Sequence, residues 1–333
     1  MDNIENKLNN LINGTYIDDN DELCDFTLQE QNEAAAAKGV APLAPSKFVP
    51  VIKENVTYIV MGVLFNSEGD VLLMQEAKRS CAGQWYLPAG RMERDETIEE
   101  ALKREVLEET GLVMRPTSLI MIECASKAWF RFVLTGTVVS GTLKTPAQAD
   151  AESLQAKWVK DISEMSLRAN DILPIIERGR SFLKKQEPQH SEILPSLKTH
   201  SKLLLRLIVC IKKKSSNRVL ILLSEKTEAH FPMCEINHLQ SLHSTLRKFM
   251  VDIFGADVPP HKPHGIICVE HQPKTTESVK DGLCLTLLVS FRVPLEEVFP
   301  IDKYTWFRVS KELGDALLSL MPRNMTIPLN VIR

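Results

Sequence analysis

From Val56 onward, apolar and polar residues alternate with the short periods of β-strands. Val56 to Phe65 and Val71 to Gln75 are two such runs, separated by the turn Asn66-Ser67-Glu68-Gly69. The pattern predicts further strands over 118–124, 128–139 and 154–159 and a closing helix over 170–182. Strands and helices in this order predict an α/β (α+β) fold, in which helices sandwich a mixed sheet.

One segment between these strands has the period of a helix. Thr97-Ile98-Glu99-Glu100 is a capping box and Gly111 follows the last turn, so we predict a helix over 98–110. Glu105 and Glu109 fall inside or beside its apolar stripe, where an acid that only promotes solubility is not expected. The stripe consists of Ile98, Ala101, Leu102 and Val106.

Three acids of this helix share one face. Glu105, Glu108 and Glu109 stand at i, i+3 and i+4, where like charges repel by about 0.2–0.5 kcal/mol per pair. Clustered carboxylates suit Mg²⁺, or Mn²⁺, which bind such groups together with substrate phosphate oxygens. Gly90 ends the preceding turn, and its carbonyl oxygen is a candidate further ligand because glycine allows close backbone approach. The alternative is an ordinary charged surface helix.

These features belong to one longer motif. Residues 90–112 have the order Gly, five residues, Glu, seven residues, Arg-Glu-apolar-any-Glu-Glu-any-Gly-apolar. The segment resembles the Nudix box, and the resemblance implies a Nudix fold and a metal-dependent hydrolase of diphosphate bonds. Glu96 and Arg104 have the positions of a structural pair that fixes the loop against the helix, and Gly111 is the structural glycine at its end.

Segments outside the box extend the resemblance. They are Gln75 to Arg79, Trp85 to Met92, Leu143 to Thr145, Ala149 to Ala156 and Asp171 to Leu173. In them the chain resembles an animal Nudix subfamily, the 8-oxo-guanine nucleoside diphosphate phosphatases. That resemblance implies Mg²⁺-dependent cleavage of 8-oxo-dGDP or 8-oxo-GDP to the monophosphate and phosphate, which sanitises the nucleotide pool. Two alternatives stay open: a Nudix pyrophosphatase for ADP-ribose, a dinucleoside polyphosphate or an RNA cap, or a non-enzymatic nucleotide-binding scaffold.

The expected mechanism needs a general base within reach of the attacking water. Glu105, oriented by Arg104, is the first candidate, and Glu152 in a later loop is the second. Lys78 and Arg79 follow a strand, so they could contact phosphate oxygens or form a solvated pair.

Two residues are candidates for recognition of the purine base of the substrate. Purine-reading Nudix enzymes resemble one another in having Asn or Asp at the start of the last helix, where this chain has Asn170 and Asp171. These side chains could read the purine edge or cap the helix, since Asn and Asp are preferred caps.

Changes in composition divide the chain into four parts. Residues 1–49 are acidic and polar, with prolines toward their end, and predict a poorly ordered arm or linker. Residues 50–186 form the predicted catalytic Nudix domain, residues 187–198 a linker, and residues 199–333 a second domain.

The second domain repeats the first. Arg218 to Lys226 aligns with Asp70 to Lys78 at an offset of 148, and from Phe231 an offset of 144 runs through the helix without a gap. The acids are not repeated, because this register puts Cys234 on Gly90, Gln240 on Glu96, Phe249 on Glu105 and Ile253 on Glu109. We therefore predict a degenerate, non-catalytic Nudix-like domain that packs within the chain or mediates a homo-oligomer. Chance similarity between two α/β domains is the alternative.

Composition limits the partners. A formal net charge of −3 over 333 residues favours a small-molecule substrate over nucleic acid. The first residues lack the basic and apolar regions of a signal peptide, and no apolar run has the length of a membrane span. Seven cysteines without a Cys-x-x-Cys pair fit reduced thiols, so we expect a soluble cytoplasmic protein.

Overall fold

The computed structural model describes residues 2–185, 188–214, 216, 218–273, 281–301 and 303–332. The chain divides into two compact units. The box unit consists of Thr57–Glu123 and Phe130–Leu194. The C-terminal unit consists of Met1–Val56, Cys124–Trp129 and Pro195–Arg333.

Helices and strands alternate along the whole chain. In chain order they are α1 (Asp2–Ile12), α2 (Leu28–Ala36), β1 (Thr57–Val63), β2 (Val71–Glu76), β3 (Trp85–Tyr86), β4 (Ala89–Arg91), α3 (Ile98–Thr110), β5 (Leu112–Ala125), β6 (Trp129–Gly141), β7 (Ser153–Val159), α4 (Ile172–Lys184), β8 (Leu203–Lys212), β9 (Val219–Ser224), β10 (Met233–Glu235), α5 (Leu242–Phe254), β11 (His261–Glu270), β12 (Leu283–Phe291), β13 (Tyr304–Arg308), α6 (Lys311–Ser319) and β14 (Leu329–Val331).

The box unit has the mixed α/β architecture that the sequence predicted. Strands β5, β6, β1 and β4 lie side by side in that order, and β3, β2 and β7 form a second, three-stranded sheet. Helix α3 packs against β1, β4, β7 and β2, and α4 packs against β1. The core under α4 is apolar and includes Ile172, Ile175, Ile176 and Phe182. The end of β4 and the length of α3 are therefore held together by two sheets.

The C-terminal unit repeats this arrangement of elements. Strands β11, β12, β8, β9 and β13 form one sheet in that order, with β10 paired to β8. Strand β10 pairs antiparallel with β8 as β4 does with β1. The offsets found in the sequence also relate the elements. Adding 144 to the residue numbers of α3 and β4 gives the bounds of α5 and β10, and adding 148 to those of β2 gives the bounds of β9. The structure therefore has the repeat in the same register as the sequence.

The amino-terminal segment differs from the poorly ordered arm expected over residues 1–49. Helix α1 places Ile4, Leu8 and Leu11 on one face, and all three are buried in the core of the C-terminal unit. Helix α2 begins with a capping box formed by Thr27 and Glu30. The acidic composition hid an apolar i, i+4, i+7 stripe, and such a stripe is sufficient to dock a helix on a core.

The predicted linkers are also partly integrated. Leu119 N donates to Ile193 O over 2.8 Å, which ties the middle of the predicted 187–198 linker to the box unit. Ile52 N donates to Asp281 Oδ2 over 2.7 Å, so the first residues of the predicted 50–186 domain belong to the C-terminal unit. Gln186 and Glu187 lie outside the described residues.

All seven cysteines are free thiols, and only Cys81 is partly exposed. Within the described residues, no helix has the length and apolar character needed to cross a membrane.

Candidate active site

The site is built on α3, whose two ends are fixed by local chemistry. Thr97 Oγ1 accepts the Glu100 N–H, and the Glu100 carboxylate accepts the Thr97 N–H over 2.9 Å. At the other end Gly111 has φ 76°, a left-handed conformation that favours glycine. A Cβ there would also lie 2.4 Å from Thr142 O. The helix therefore starts and stops where the sequence predicted.

The three acids of α3 have different exposures. Glu105 and Glu109 are buried, with only 7% and 1% of their surface accessible, whereas Glu108 is exposed. Burial is costly for an uncompensated carboxylate, so two of the three acids are in an environment where a cation would be favourable. The apolar stripe beside them consists of Ile98, Ala101, Leu102 and Val106, all buried.

Arg104 holds the acids in place. Its Nε and Nη2 donate to the two oxygens of Glu96 over 2.6 and 2.9 Å, a bidentate pair. Its Nη1 donates to Glu105 over 2.7 Å and to Glu108 over 3.2 Å. Glu96 in turn accepts the Glu93 N–H over 2.9 Å, which anchors the loop before the helix. The Glu96–Arg104 pair has the geometry expected for a loop-to-helix brace.

Glu109 has a different partner. Its Oε2 accepts the Ala89 N–H over 2.8 Å, so it is fixed against β4. Burial, and then the charges of Glu105 and Glu76, raise the pKa of Glu109 well above its ordinary value, against the opposing effects of the Ala89 bond and Lys78. Burial, followed by the charges of Glu108 and Glu152, likewise raises the pKa of Glu105, although Arg104 opposes this. The site thus concentrates negative charge that the described side chains neutralise only in part.

Gly90 lies directly against Glu105. A Cβ built on Gly90 would stand 2.1 Å from both Cδ and Oε1 of Glu105. The backbone itself does not require glycine, since Gly90 is not among the residues with positive φ. Strand pairing between β4 and β1 places Gly90 opposite Val60 and fixes the backbone at this point. Glycine is therefore needed because the carboxylate approaches the main chain.

The residues fit a divalent cation. Glu105, Glu108, Glu109 and the Gly90 carbonyl offer oxygen donors only, which is the preference of Mg²⁺ and Mn²⁺. Burial, with the charges of neighbouring acids, raises the pKa of Glu105 and of Glu109, and bound positive charge would favour their ionised forms. In the C-terminal unit, the ligand-type atoms of His200, Glu270 and Cys284 lie within 4.8 Å of one another. The carboxylate oxygens of the α3 acids are more widely spaced than this. In that cluster, however, the Arg206 guanidinium already neutralises Glu270.

The other candidate catalytic and phosphate-binding residues lie on exposed loops. Glu152 is exposed beside β7, and its charge contributes to the raised pKa of Glu105. Lys78 and Arg79 are exposed in the turn after β2, and the charge of Lys78 lowers the pKa of Glu109. The structure thus brings Glu152 and Lys78 into the electrostatic field of the α3 acids.

Asp171 takes part in a polar network instead of capping a helix. It stands at the N-cap position of α4 without a side-chain cap hydrogen bond. Its Oδ2 accepts from the Tyr86 hydroxyl over 2.8 Å and from Arg131 Nη1 over 2.9 Å. Burial raises the pKa of Tyr86 to about 12, so the hydroxyl remains a donor. Asn170 is exposed, and its carbonyl accepts the Leu173 N–H over 3.2 Å.

Several residues of the site were not found from sequence. Tyr86 and Arg131 join Asp171, and Arg131 also pairs with Glu123. Glu76 is fully buried and accepts from Arg168 over 2.6 Å. These partners are far apart in sequence, and a lone charged residue in an apolar strand, such as Arg131, was the only local signal.

A substitution at Gly90 tests the close approach to Glu105. We expect Gly90→Ala to lower kcat/KM by about 100-fold, because displacing a reacting group by about 1 Å costs that much. The thermal midpoint should change by only a few degrees, since the Cβ meets the end of a flexible side chain. In a double-mutant cycle with Glu105→Gln, the double variant should be no less active than Glu105→Gln alone. Additive losses would show that Gly90 acts on something other than Glu105.

Comparisons with known proteins agree in one family. A sequence model of the NUDIX domain matches residues 57–171. The 8-oxo-dGDP phosphatase NUDT18 of Mus musculus is 34% identical over 302 residues, which cover 87% of this chain and 90% of the mouse protein. The protein of the same name from Danio rerio is 35% identical over 243 residues, 72% of this chain and 74% of its own length. Among solved structures, a NUDIX hydrolase from Nitrosomonas europaea is 29% identical, with 38% of this chain and 90% of that chain covered and a TM-score of 0.34.

Proposed function

The chain belongs to the Nudix hydrolase family, and on that premise we propose that it cleaves 8-oxo-dGDP and 8-oxo-GDP to the nucleoside monophosphate and phosphate. The observation that carries this proposal is the Glu105 carboxylate held against Gly90 beside buried Glu109 on a helix braced by Arg104. The substrate is proposed because relatives named 8-oxo-dGDP phosphatases are about one-third identical to this chain over most of their length.

Members of this family typically use a divalent metal ion, and we propose Mg²⁺, with Mn²⁺ as a substitute. Glu105, Glu108, Glu109 and the Gly90 carbonyl would hold it. When bound, such an ion supplies neutralisation of the diphosphate charge and lowers the pKa of water.

The side chains around the acids would divide the remaining work. Glu105 would accept the proton of the attacking water, and Arg104 would keep its carboxylate aimed, since their hydrogen bond is 2.7 Å long. Glu152 is the second candidate for the base, because its charge reaches Glu105. Lys78 and Arg79 would contact phosphate oxygens from the exposed turn after β2.

The purine base of the substrate would be recognised near the start of α4. Asn170 is exposed there, beside an Asp171 carboxylate that Tyr86 and Arg131 hold in a fixed position. An oxidised guanine differs from guanine in having an added N–H donor and carbonyl acceptor on its five-membered ring. A polar side chain that contacts this edge would therefore bind the oxidised base more tightly than guanine, by about the free energy of one hydrogen bond.

Asn170 provides the test of base recognition. We expect Asn170→Ala to reduce the preference for 8-oxo-dGDP over dGDP by about 3- to 10-fold, which corresponds to one lost hydrogen bond. The measurement is the ratio of the two kcat/KM values. Leu173→Ala is the matched control, because Leu173 is 42% exposed on the first turn of α4, three residues after Asn170. An unchanged ratio for Asn170→Ala would remove Asn170 from base recognition.

A substrate panel tests the proposed function as a whole. The purified chain should release phosphate from 8-oxo-dGDP faster than it acts on ADP-ribose, a dinucleoside polyphosphate or capped RNA, with products identified by mass. Turnover of one of these others at a higher kcat/KM would keep the hydrolase chemistry and replace the substrate. Absence of turnover on every substrate would favour a nucleotide-binding scaffold.

The remaining partners are proposals as well. The apolar stripe of α5 is buried, and Phe249 within it stacks on Phe26 of the amino-terminal segment with ring centroids 6.1 Å apart. The stripe consists of Leu242, Leu246, Phe249, Met250 and Ile253. This aromatic contact supplies intramolecular packing for the stripe, while a homo-oligomer through residues 199–333 would show as a doubled mass in solution. A small nucleotide substrate and a cytoplasmic location are in keeping with free thiols and a net charge of −3.

A further inference from the structure

In the C-terminal unit, the amino-terminal segment covers the helix face that corresponds to the acid face of α3. Asp25 N donates to Met233 O over 2.7 Å and Glu235 N donates to Phe26 O over 3.1 Å, so the segment runs alongside β10. Phe26 stacks on Phe249, the residue at the position of Glu105. Apolar side chains thus fill the place where the box unit concentrates carboxylates.

Beside this aromatic plug lies a cavity of about 590 Å³ between α2 and α5. Its volume is within the range of about 300–1,000 Å³ that small-molecule sites have. Its apolar wall is formed by Ala34 and Ala35 of α2, Val251 of α5, Val40 and Phe26. The cavity therefore offers an apolar surface to a ligand of small-molecule size.

The rim of the cavity is cationic. Lys38, Arg247 and Lys248 line it, and the acid among its lining residues is Asp252, which accepts a hydrogen bond from Tyr304 over 3.3 Å. None of the three cations forms an ion pair with a carboxylate in the part of the chain that the structure describes, and Lys248 Nζ donates to Gln240 Oε1 over 2.8 Å. Burial, and then the charge of Lys38, lower the pKa of Lys248. Lys38 and Lys248 both line the cavity, and like charges on one lining favour a bound anion.

Gln31, one of the residues that line the cavity, carries a buried acceptor. Gln31 is only 5% exposed, and its Nε2 donates to Phe26 O over 3.1 Å and to Glu235 O over 2.8 Å. These two bonds fix the orientation of the amide and leave Oε1 as its acceptor. Gln31 Oε1 is buried and has no partner among the described residues. Buried acceptors normally have a hydrogen-bond donor as partner. A ligand N–H or O–H would supply that donor.

We propose that this cavity is a metal-independent binding site for an organic phosphate of the nucleoside monophosphate class. Its phosphate lies between Lys38, Arg247 and Lys248, where cations of the chain take the place that a metal ion has in a carboxylate site. Its ring system lies on the wall of α2 and α5, and a ring N–H or sugar hydroxyl donates to Gln31. The site is separate from the hydrolytic site and does not depend on the proposed substrate.

Calorimetric titration of the full chain with AMP and dGMP in the presence of EDTA tests the site. We expect saturable binding that weakens as salt is raised, because the contacts to phosphate are ionic. The charge reversal Arg247→Glu/Lys248→Glu should weaken binding by about 10-fold or more. The matched control Lys311→Glu/Arg323→Glu makes the same change of net charge at exposed positions of the same unit and should bind within twofold of the natural chain.

Hydrogen exchange locates the bound probe independently. Addition of AMP should slow exchange in peptides that cover residues 28–40 and 242–254 and leave the peptides of residues 98–110 unchanged. Protection confined to residues 98–110, equal binding by Arg247→Glu/Lys248→Glu, or absence of binding would each overturn the proposal. Inorganic phosphate is the third probe, and binding as tight as that of AMP would overturn the assignment of an organic ligand.

Discussion

Glu105→Gln is expected to lower kcat/KM for the diphosphate substrate by about 100- to 10,000-fold. The substitution keeps the volume of a buried side chain and its contact with Gly90, but it removes the charge that would bind the metal ion and the acceptor for the proton of water. Loss of a general base alone costs about 10²- to 10⁴-fold. Because the natural carboxylate is buried with a raised pKa, its loss should not reduce the stability of the metal-free chain.

The control for this prediction is Glu99→Gln. Glu99 lies on the first turn of the same helix, so the substitution makes the same chemical change away from Arg104 and Gly90. It should retain activity within about twofold, and both variants should have the thermal midpoint of the natural chain in EDTA. If Glu105→Gln keeps activity within threefold, Glu105 is neither base nor essential ligand, and Glu152 becomes the first candidate for the base.

Glu270→Gln is expected to destabilise the C-terminal unit by about 3–5 kcal/mol, the typical cost of leaving the other charge of a buried ion pair uncompensated. Glu270 is fully buried and accepts from His200 over 2.8 Å and from Arg206, which is itself 1% exposed. Urea denaturation measures the change in the free energy of unfolding. The exposed Glu312→Gln on α6 is the control and should change it by less than about 0.5 kcal/mol.

The pH dependence of this effect has a definite sign. Burial alone would raise the pKa of Glu270, but Arg206 and His200 outweigh it and hold the pKa at about 2, below the ordinary 4.5. A carboxyl group whose pKa is lowered on folding stabilises the protein above pH 4.5, and this contribution is lost as the pH falls toward 2. The difference between the natural chain and Glu270→Gln should therefore shrink over that interval. A difference that is small at pH 7, or that grows toward low pH, would contradict the assigned network.

The sequence predicted the bounds of α3 well, because the information is local. A capping box, an apolar stripe and a terminal glycine determine a helix over 98–110, and the spacing of Glu105, Glu108 and Glu109 then puts them on one face. The same spacing could not predict that Arg104 binds Glu105 and Glu108 while Glu109 binds the Ala89 N–H. That division depends on where β4 crosses the helix.

The amino-terminal segment and the α4 network show where local patterns are insufficient. The acidic composition of residues 1–49 indicated disorder, yet Leu8 and Leu11 have an apolar core to dock on, to which strands β8, β9 and β11 contribute from the far end of the chain. Asp171 could be placed at the start of a helix from sequence. Its hydrogen bonds with Tyr86 and Arg131 could not be predicted from the sequence, since these three residues meet only after β3, β6 and α4 have assembled.

The proposed activity is tested by Mg²⁺-dependent phosphate release from 8-oxo-dGDP, measured against dGDP at equal concentration with Glu108→Gln and Glu109→Gln alongside. We expect turnover that prefers 8-oxo-dGDP, stops in EDTA and is lost in both variants. Equal kcat/KM for the two nucleotides, or full activity in either variant, would contradict it.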